Sequence, residues 1–188
     1  ALELREREAS GDEPAVAESL NNLAWLLEQQ GDYRAAEPLY RRALQIHQRL
    51  YEEPHPRVAS SLNNLGLLLY HDGKLDEAEP LLREGLAIGR ALPEADVAEL
   101  ADAMSNLALL LQQRGELDRA EPLYTRALEL RRDELGDDHP HVAISLDNLA
   151  RLRFARGDYA SSERLFREAL GLRRSIYGGA HPEISQTL

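Results

Sequence analysis

The pentapeptide "SLNNL" occupies residues 19–23 and returns unchanged at 61–65, 42 positions further on. A leucine-bearing helix has little use for two adjacent asparagines, because their side chains compete for nearby backbone groups. The interval is easier to explain than the residues. Gly31, Gly73, Gly115 and Gly157 keep it, as do Leu23, Leu65, Leu107 and Leu149, and Asn22, Asn64, Asn106 and Asn148. Ala36, Ala78, Ala120 and Ser162 stay in phase with them, and so do Tyr40, Leu82, Tyr124 and Phe166. So many columns in register define a repeat, and repeats decide the fold before any single residue does.

Four full units run over 16–57, 58–99, 100–141 and 142–183 of one array spanning 1–188. Residues 1–15 read as the tail of a preceding unit, since "ALELRERE" at 1–8 matches "ALELRRDE" at 127–134. Residues 184–188 read as the start of a truncated fifth unit, since "HPEISQTL" at 181–188 matches "HPRVASSL" at 55–62. The expectation is a window on a longer array whose ends carry no polar cap of the kind terminal repeats have.

Inside the first unit, Val16, Leu20, Leu23, Ala24 and Leu27 follow helical spacing and form one apolar face. Gly31 ends that helix. A second helix follows from about Tyr33 to Leu50, its inner stripe made of Ala36, Leu39, Tyr40, Ala43 and Leu44. The connector "YEEPHP" ends in a proline suited to the first turn of the next helix. Pro38, Pro80 and Pro122 sit within second helices, where each removes a backbone bond and predicts a bend. Each unit is thus an antiparallel helical hairpin. One hairpin cannot bury its own face, but stacked hairpins bury a continuous one.

Composition narrows the function. The chain has 22 basic and 33 acidic residues, −11 overall, so nucleic acid and anionic membrane surfaces are unsuitable partners. It has no cysteine, which removes disulfides, thiolate metal sites and cysteine nucleophiles. No apolar run approaches the ~18 residues of a membrane span. The N-terminal "ALELREREASGDEP" is too charged for a signal peptide. The reading is a soluble, cytoplasmic chain.

The residues Leu20, Leu23, Ala24, Leu27, Tyr33, Ala36, Tyr40 and Ala43, around a glycine-ended hairpin, resemble the tetratricopeptide repeat. The 42-residue period exceeds the usual ~34. With "SLNNLA", "AEPLYRRAL" and "LGDDHPHVA", it resembles the kinesin light chain type of that repeat. The resemblance implies an all-α fold, a right-handed α-solenoid (the TPR superhelix) of stacked antiparallel hairpins. It also implies a protein- or peptide-binding scaffold whose first helices line a concave groove. An alternative is a regulatory or sensor segment of a larger multidomain signalling enzyme, and a third is a spacer without a ligand.

At 100° per residue with Leu20 at zero, Val16, Leu23, Ala24 and Leu27 lie within ~60° of it. Asn21, Asn22 and Trp25 lie on the far side, at ~100–200°. Leu26, Leu68, Leu110 and Leu152 recur at ~240°, a direction suited to a neighbouring repeat. If the far side is the groove, Asn22, Asn64, Asn106 and Asn148 form a ladder with one amide per repeat. Each amide offers a donor and an acceptor to the backbone of a bound chain, whatever its sequence. Four such bonds, at ~0.5–1.5 kcal/mol each, cannot hold a peptide tightly alone. Apolar anchors would come from the columns Trp25, Leu67, Leu109, Arg151 and Glu28, Tyr70, Gln112, Phe154. Asn21, Asn63, Ser105 and Asp147 are read as a solvated polar wall. The candidate groove is therefore Asn21, Asn22, Trp25, Asn63, Asn64, Leu67, Tyr70, Asn106, Leu109, Asn148 and Arg151. Bridging between repeats is the competing role for the amides.

Glu18, Glu28, Asp102 and Asp147 make the wall acidic in places, with Arg151 its clearest positive point. The resembled family carries a basic groove, so its preference for acidic cargo is not carried over. The expected ligand is neutral to basic with apolar anchors, and uncapped ends allow end-to-end self-association.

Little else carries chemistry. His55, His139 and His181 recur beside proline and read as helix-start structure, with Val97 in the equivalent place of the second unit. Glu37, Glu79, Glu121 and Glu163 lie early in second helices, where the macrodipole favours negative charge. No phosphate loop, nucleophile elbow or ligand-spaced metal cluster is present in the sequence. No catalytic residue, metal or cofactor is expected.

Overall fold

The computed structural model describes residues 13–52, 54–92, 94 and 96–178. Of the tail expected at 1–15, residues 1–12 lie outside them and 13–15 open the first helix; the partial unit expected at 184–188 and His181 also lie outside. Among the described residues there are eight helices and no strand. They are α1 (Glu13–Gln29), α2 (Tyr33–Leu50), α3 (Pro56–His71), α4 (Leu75–Ala91), α5 (Val97–Gln113), α6 (Leu117–Leu135), α7 (Pro140–Ala155) and α8 (Tyr159–Tyr177). The fold is all-α and built from antiparallel helical hairpins. α1, α3, α5 and α7 begin two to three residues ahead of 16, 58, 100 and 142.

Two compact units divide the chain, Ala1–Ala95 and Asp96–Leu188. In the first, α1 pairs with α2, α3 with α4, and α2 packs on α3. In the second, α5 pairs with α6, α7 with α8, and α6 packs on α7, while α5 also touches α7.

The recurrent glycine sets each hairpin turn. Gly31, Gly73, Gly115 and Gly157 all have φ of 77–79°, a conformation that a Cβ penalises. Around Gly31 the bonds are Gly31 N–H to Glu28 O (2.9 Å) and Asp32 N–H to Leu27 O (2.9 Å). This is the Schellman pattern, which satisfies two orphan carbonyls at the helix end. It repeats around Gly73, Gly115 and Gly157. Two of the four second helices start on an aspartate cap: Asp32 Oδ1 accepts from Ala35 N–H (3.1 Å) and Asp158 Oδ1 from Ser161 N–H (3.2 Å), whereas Lys74 and Glu116 give the other two no side-chain cap.

The connector histidines are caps too. His55 Nδ1 accepts from Arg57 N–H (3.2 Å) and His139 Nδ1 from His141 N–H (3.2 Å), each with proline at the first helical turn. Where Val97 replaces the histidine, Asp96 does the work one residue earlier, accepting from Ala98 and Glu99 N–H. Pro38, Pro80 and Pro122 lie inside helices that run on uninterrupted.

The hairpin cores use the small column heavily: Ala36, Ala78 and Ala120 are fully buried. α3 is covered on both sides, with Val58, Leu62, Leu65, Leu68 and Leu69 at 0–1% exposure. The matching residues of α1 differ: Val16, Leu23 and Leu26 are 42%, 48% and 49% exposed. α3 has α2 packed on this side, whereas α1 has no preceding second helix among the described residues. Fully burying one such side chain contributes about 1.5–3 kcal/mol. Packing of one hairpin on the next therefore adds a substantial apolar contribution to that made within each hairpin.

Candidate functional site

The expected ladder lies on α1, α3, α5 and α7. Asn22 is exposed, while Asn64, Asn106 and Asn148 are half-buried. Three residues on, and so on the same side of each helix, stand Trp25 at 57% exposure, Leu67 and Leu109 half-buried, and Arg151 exposed. Tyr70 is half-buried, and that burial holds its hydroxyl above the usual phenol range. In the first unit, Asn22, Trp25, Asn64, Leu67 and Tyr70 thus combine amides with accessible apolar surface. In the second, Asn106, Leu109, Asn148 and Arg151 do so with less aromatic area.

The second asparagine column is not the solvated wall expected of it. Asn21 and Asn63 are half-buried, the Oδ1 of Asn21 being buried without a partner. Ser105 and Asp147 are 7% and 8% exposed. Asp147 is drawn inward by Arg173 of α8, whose Nη2 donates to Oδ2 at 2.6 Å. Ser105 turns its hydroxyl onto its own helix, donating to Ala101 O at 2.8 Å.

The acidic wall needs the same correction. Glu28 is 9% exposed and bound on both oxygens, by Tyr40 O–H (3.1 Å) and His71 Nδ1 (2.9 Å). Burial first, then the Glu28 carboxylate, drives the Tyr40 hydroxyl far above its ordinary titration point. Glu18 and Asp102 keep about half of their side chains exposed, yet each meets an arginine, Arg57 and Arg131 respectively. Only these two of the four acids remain accessible to a ligand.

The polar side chains that sequence reasoning missed join neighbouring helices inside each unit. His47 on α2 is 2% exposed, its Nδ1 2.7 Å from Ser61 Oγ on α3. Arg131 on α6, at the same register, is 4% exposed and donates to Ser145 Oγ on α7 at 2.5 Å and to Asp102 on α5. A signal existed: the column His47, Gly89, Arg131, Arg173 interrupts an otherwise apolar stripe.

Glu37 and Glu121 also link hairpins. Glu37 takes Lys74 Nζ (2.8 Å) and Arg41 Nε (2.8 Å), and these partners hold its carboxyl below the usual range. Glu121 takes Arg156 (2.7 Å) and Arg153. Among the described residues, no group of three or more His, Asp or Glu side chains could hold a metal ion. None of their helices is long and apolar enough to cross a membrane.

Glycine-ended hairpins, stacked in register within each unit, define the class of helical repeats. The tetratricopeptide repeat family model matches residues 1–46, 27–91 and 99–175, and the chain belongs to that family. The crystal structure of BtubC (BKLC) from P. vanneervenii is similar with TM-score 0.82 and 29% identity, over 100% of this chain and 76% of that one. A kinesin light chain-like protein of Podosopora anserina, with nearly identical TPR-like repeats, is similar in two crystal structures. One, of a point variant, has TM-score 0.78 and 21% identity over 93% of this chain and 82% of that one. The other has TM-score 0.77 and 22% identity over the same shares. Comparison with curated proteins gives no match. Repeats of this family generally serve as protein-protein interaction scaffolds.

Proposed function

We propose that each unit binds an extended or helical protein segment, along α1 and α3 gripped by Asn22 and Asn64 in the first, and along α5 and α7 gripped by Asn106 and Asn148 in the second. The observation that carries this is the coincidence, in each unit, of partly accessible amides with accessible apolar neighbours at a fixed three-residue offset. Leu67, Leu109, Trp25 and Tyr70 are the anchors, Asn21 and Asn63 flank the amides, and Arg151 closes the set. The ligand is neutral to basic, a preference that now rests on Glu18, Asp102 and the net charge of −11. The compartment that suits such a scaffold is the cytoplasm. Control of a larger signalling enzyme through the same surface is the second reading.

Self-association through the ends belongs to the proposal as a weak effect. α1 leaves Val16, Leu23 and Leu26 exposed, and the second unit leaves Phe154 and Tyr159 at 59% and 63%. Inter-hairpin ion pairs such as Lys74–Glu37 and Arg132–Glu168 set the charge register of a junction. Carried to two copies end to end, that register opposes Glu163 to Asp32 and Arg174 to Arg42. Both are like charges.

Affinity capture with this chain and with an Asn64→Ala/Asn106→Ala variant of equal helicity tests the binding reading. A partner retained by the first and lost by the second supports it. Identical partners on both baits would assign the amides to the scaffold.

A further inference from the structure

We infer that His47 makes the α2/α3 junction of the first unit acid-labile, whereas Arg131 leaves the α6/α7 junction of the second indifferent to mild acid. The two residues hold the same register, each reaching a serine fourteen positions on in the next hairpin. Their surroundings differ. His47 is 2% exposed, its Nδ1 engaged by Ser61 and its Nε2 buried without a partner. A neutral ring loses one hydrogen bond there. A protonated ring carries an N–H on both nitrogens and a full charge; the Arg57 backbone and Glu18 favour that form, but burial and the Arg57 charge outweigh them.

The groups facing His47 do not supply a counter-ion. α3 contributes Arg57 and Ser61, the connector contributes His55 and the Tyr51 ring 5.8 Å away, and α1 contributes Glu18. Glu18 holds the register of Asp102, the carboxylate that receives Arg131 in the second unit. In the first unit that carboxylate is taken by Arg57 instead. Arg131 is always charged and has its anion; His47 has neither property.

The sign of the pH dependence follows. Burial first, and then the Arg57 charge, pushes the His47 imidazole below its ordinary titration point. An unfolded histidine takes its proton near pH ~6.5. Between that value and the lower folded one, the unfolded chain binds more protons, so stability falls as pH falls. Both units start a first helix on a histidine cap, His55 and His139, so loss of the cap acts on both alike. The first unit also holds His71, bound to Glu28 on α1, so it is the His47→Gln comparison that isolates His47. The inference requires no ligand and stands apart from the peptide-binding reading.

Hydrogen-deuterium exchange on the whole chain at pH 7.5 and 5.5, corrected for intrinsic exchange rates, tests it. Amides of α2 and α3 should lose protection on acidification, by at most about tenfold per pH unit, while those of α6 and α7 hold. His47→Gln, which cannot titrate, should abolish the difference. If that variant does not fold, Arg57→Gln serves, because it frees Glu18 to balance a protonated His47 and should blunt the acid response. Equal acid losses at both junctions in the unaltered chain, or an undiminished response in either variant, would overturn the inference.

Discussion

Arg173 is 5% exposed, and its guanidinium reaches the equally enclosed Asp147 at 2.6 Å. Such a pair contributes little net stability, because two charges have left water to form it, but removing one partner strands the other. Asp147→Ala should therefore destabilise the chain by about 3–5 kcal/mol, seen as a lower urea midpoint; Asp147→Asn, which keeps an acceptor, should lose less. A change under ~1 kcal/mol, the usual size for a surface pair, would mean Asp147 is solvated after all. Residue by residue, this is where the sequence was hardest to read. Polarity in the column Asn21, Asn63, Ser105, Asp147 is equally consistent with a wet wall and with buried pairing. Only the position of Arg173 on the neighbouring helix decides between them. Glu28 hid for the same reason, its partners Tyr40 and His71 lying 12 and 43 residues away.

The helices and their turns were far more legible. Glycine at a fixed interval and His-Pro before the first helix both act through local backbone bonds. Sequence separation therefore does not obscure them, and the Schellman and capping bonds appear where those residues stand. What the pattern did not reveal was how closely α3 and α4 approach. Gly66 stands where the other hairpins have Ala24, Ala108 and Ala150, and Leu82 where they have an aromatic ring. A Cβ on Gly66 would lie 2.7 Å from Leu82 Cγ and 2.8 Å from Cδ2. Alanine would gain about 1 kcal/mol of helix propensity against about 1–3 kcal/mol of overpacking. Gly66→Ala should thus cost about 1 kcal/mol net by these two estimates, read from urea unfolding. Gly66→Ala/Leu82→Phe, which restores the alanine–aromatic arrangement, should recover most of the loss. A stabilised single variant would show that Leu82 moves aside freely.

For the whole molecule, the repeat predicts the fold and says little about the ligand, because a peptide surface is built from residues that no local bond constrains. The like charges expected between copies give a further test. Sedimentation at low salt should find monomer at dilute and concentrated loadings, with association only where salt screens Glu163, Asp32, Arg174 and Arg42. Strong association at low salt would refute that register.

The central claim is that the asparagine ladder reads a bound chain through its backbone. Its most direct test is a peptide selected on this chain from a random library, with affinity then measured for the unaltered chain and for Asn64→Ala/Asn106→Ala. Loss of one amide contact in the unit the peptide occupies, at ~0.5–1.5 kcal/mol, predicts binding weaker by roughly 2- to 13-fold, with circular dichroism unchanged. Equal affinities for the two proteins would contradict the claim and leave the asparagines to the scaffold.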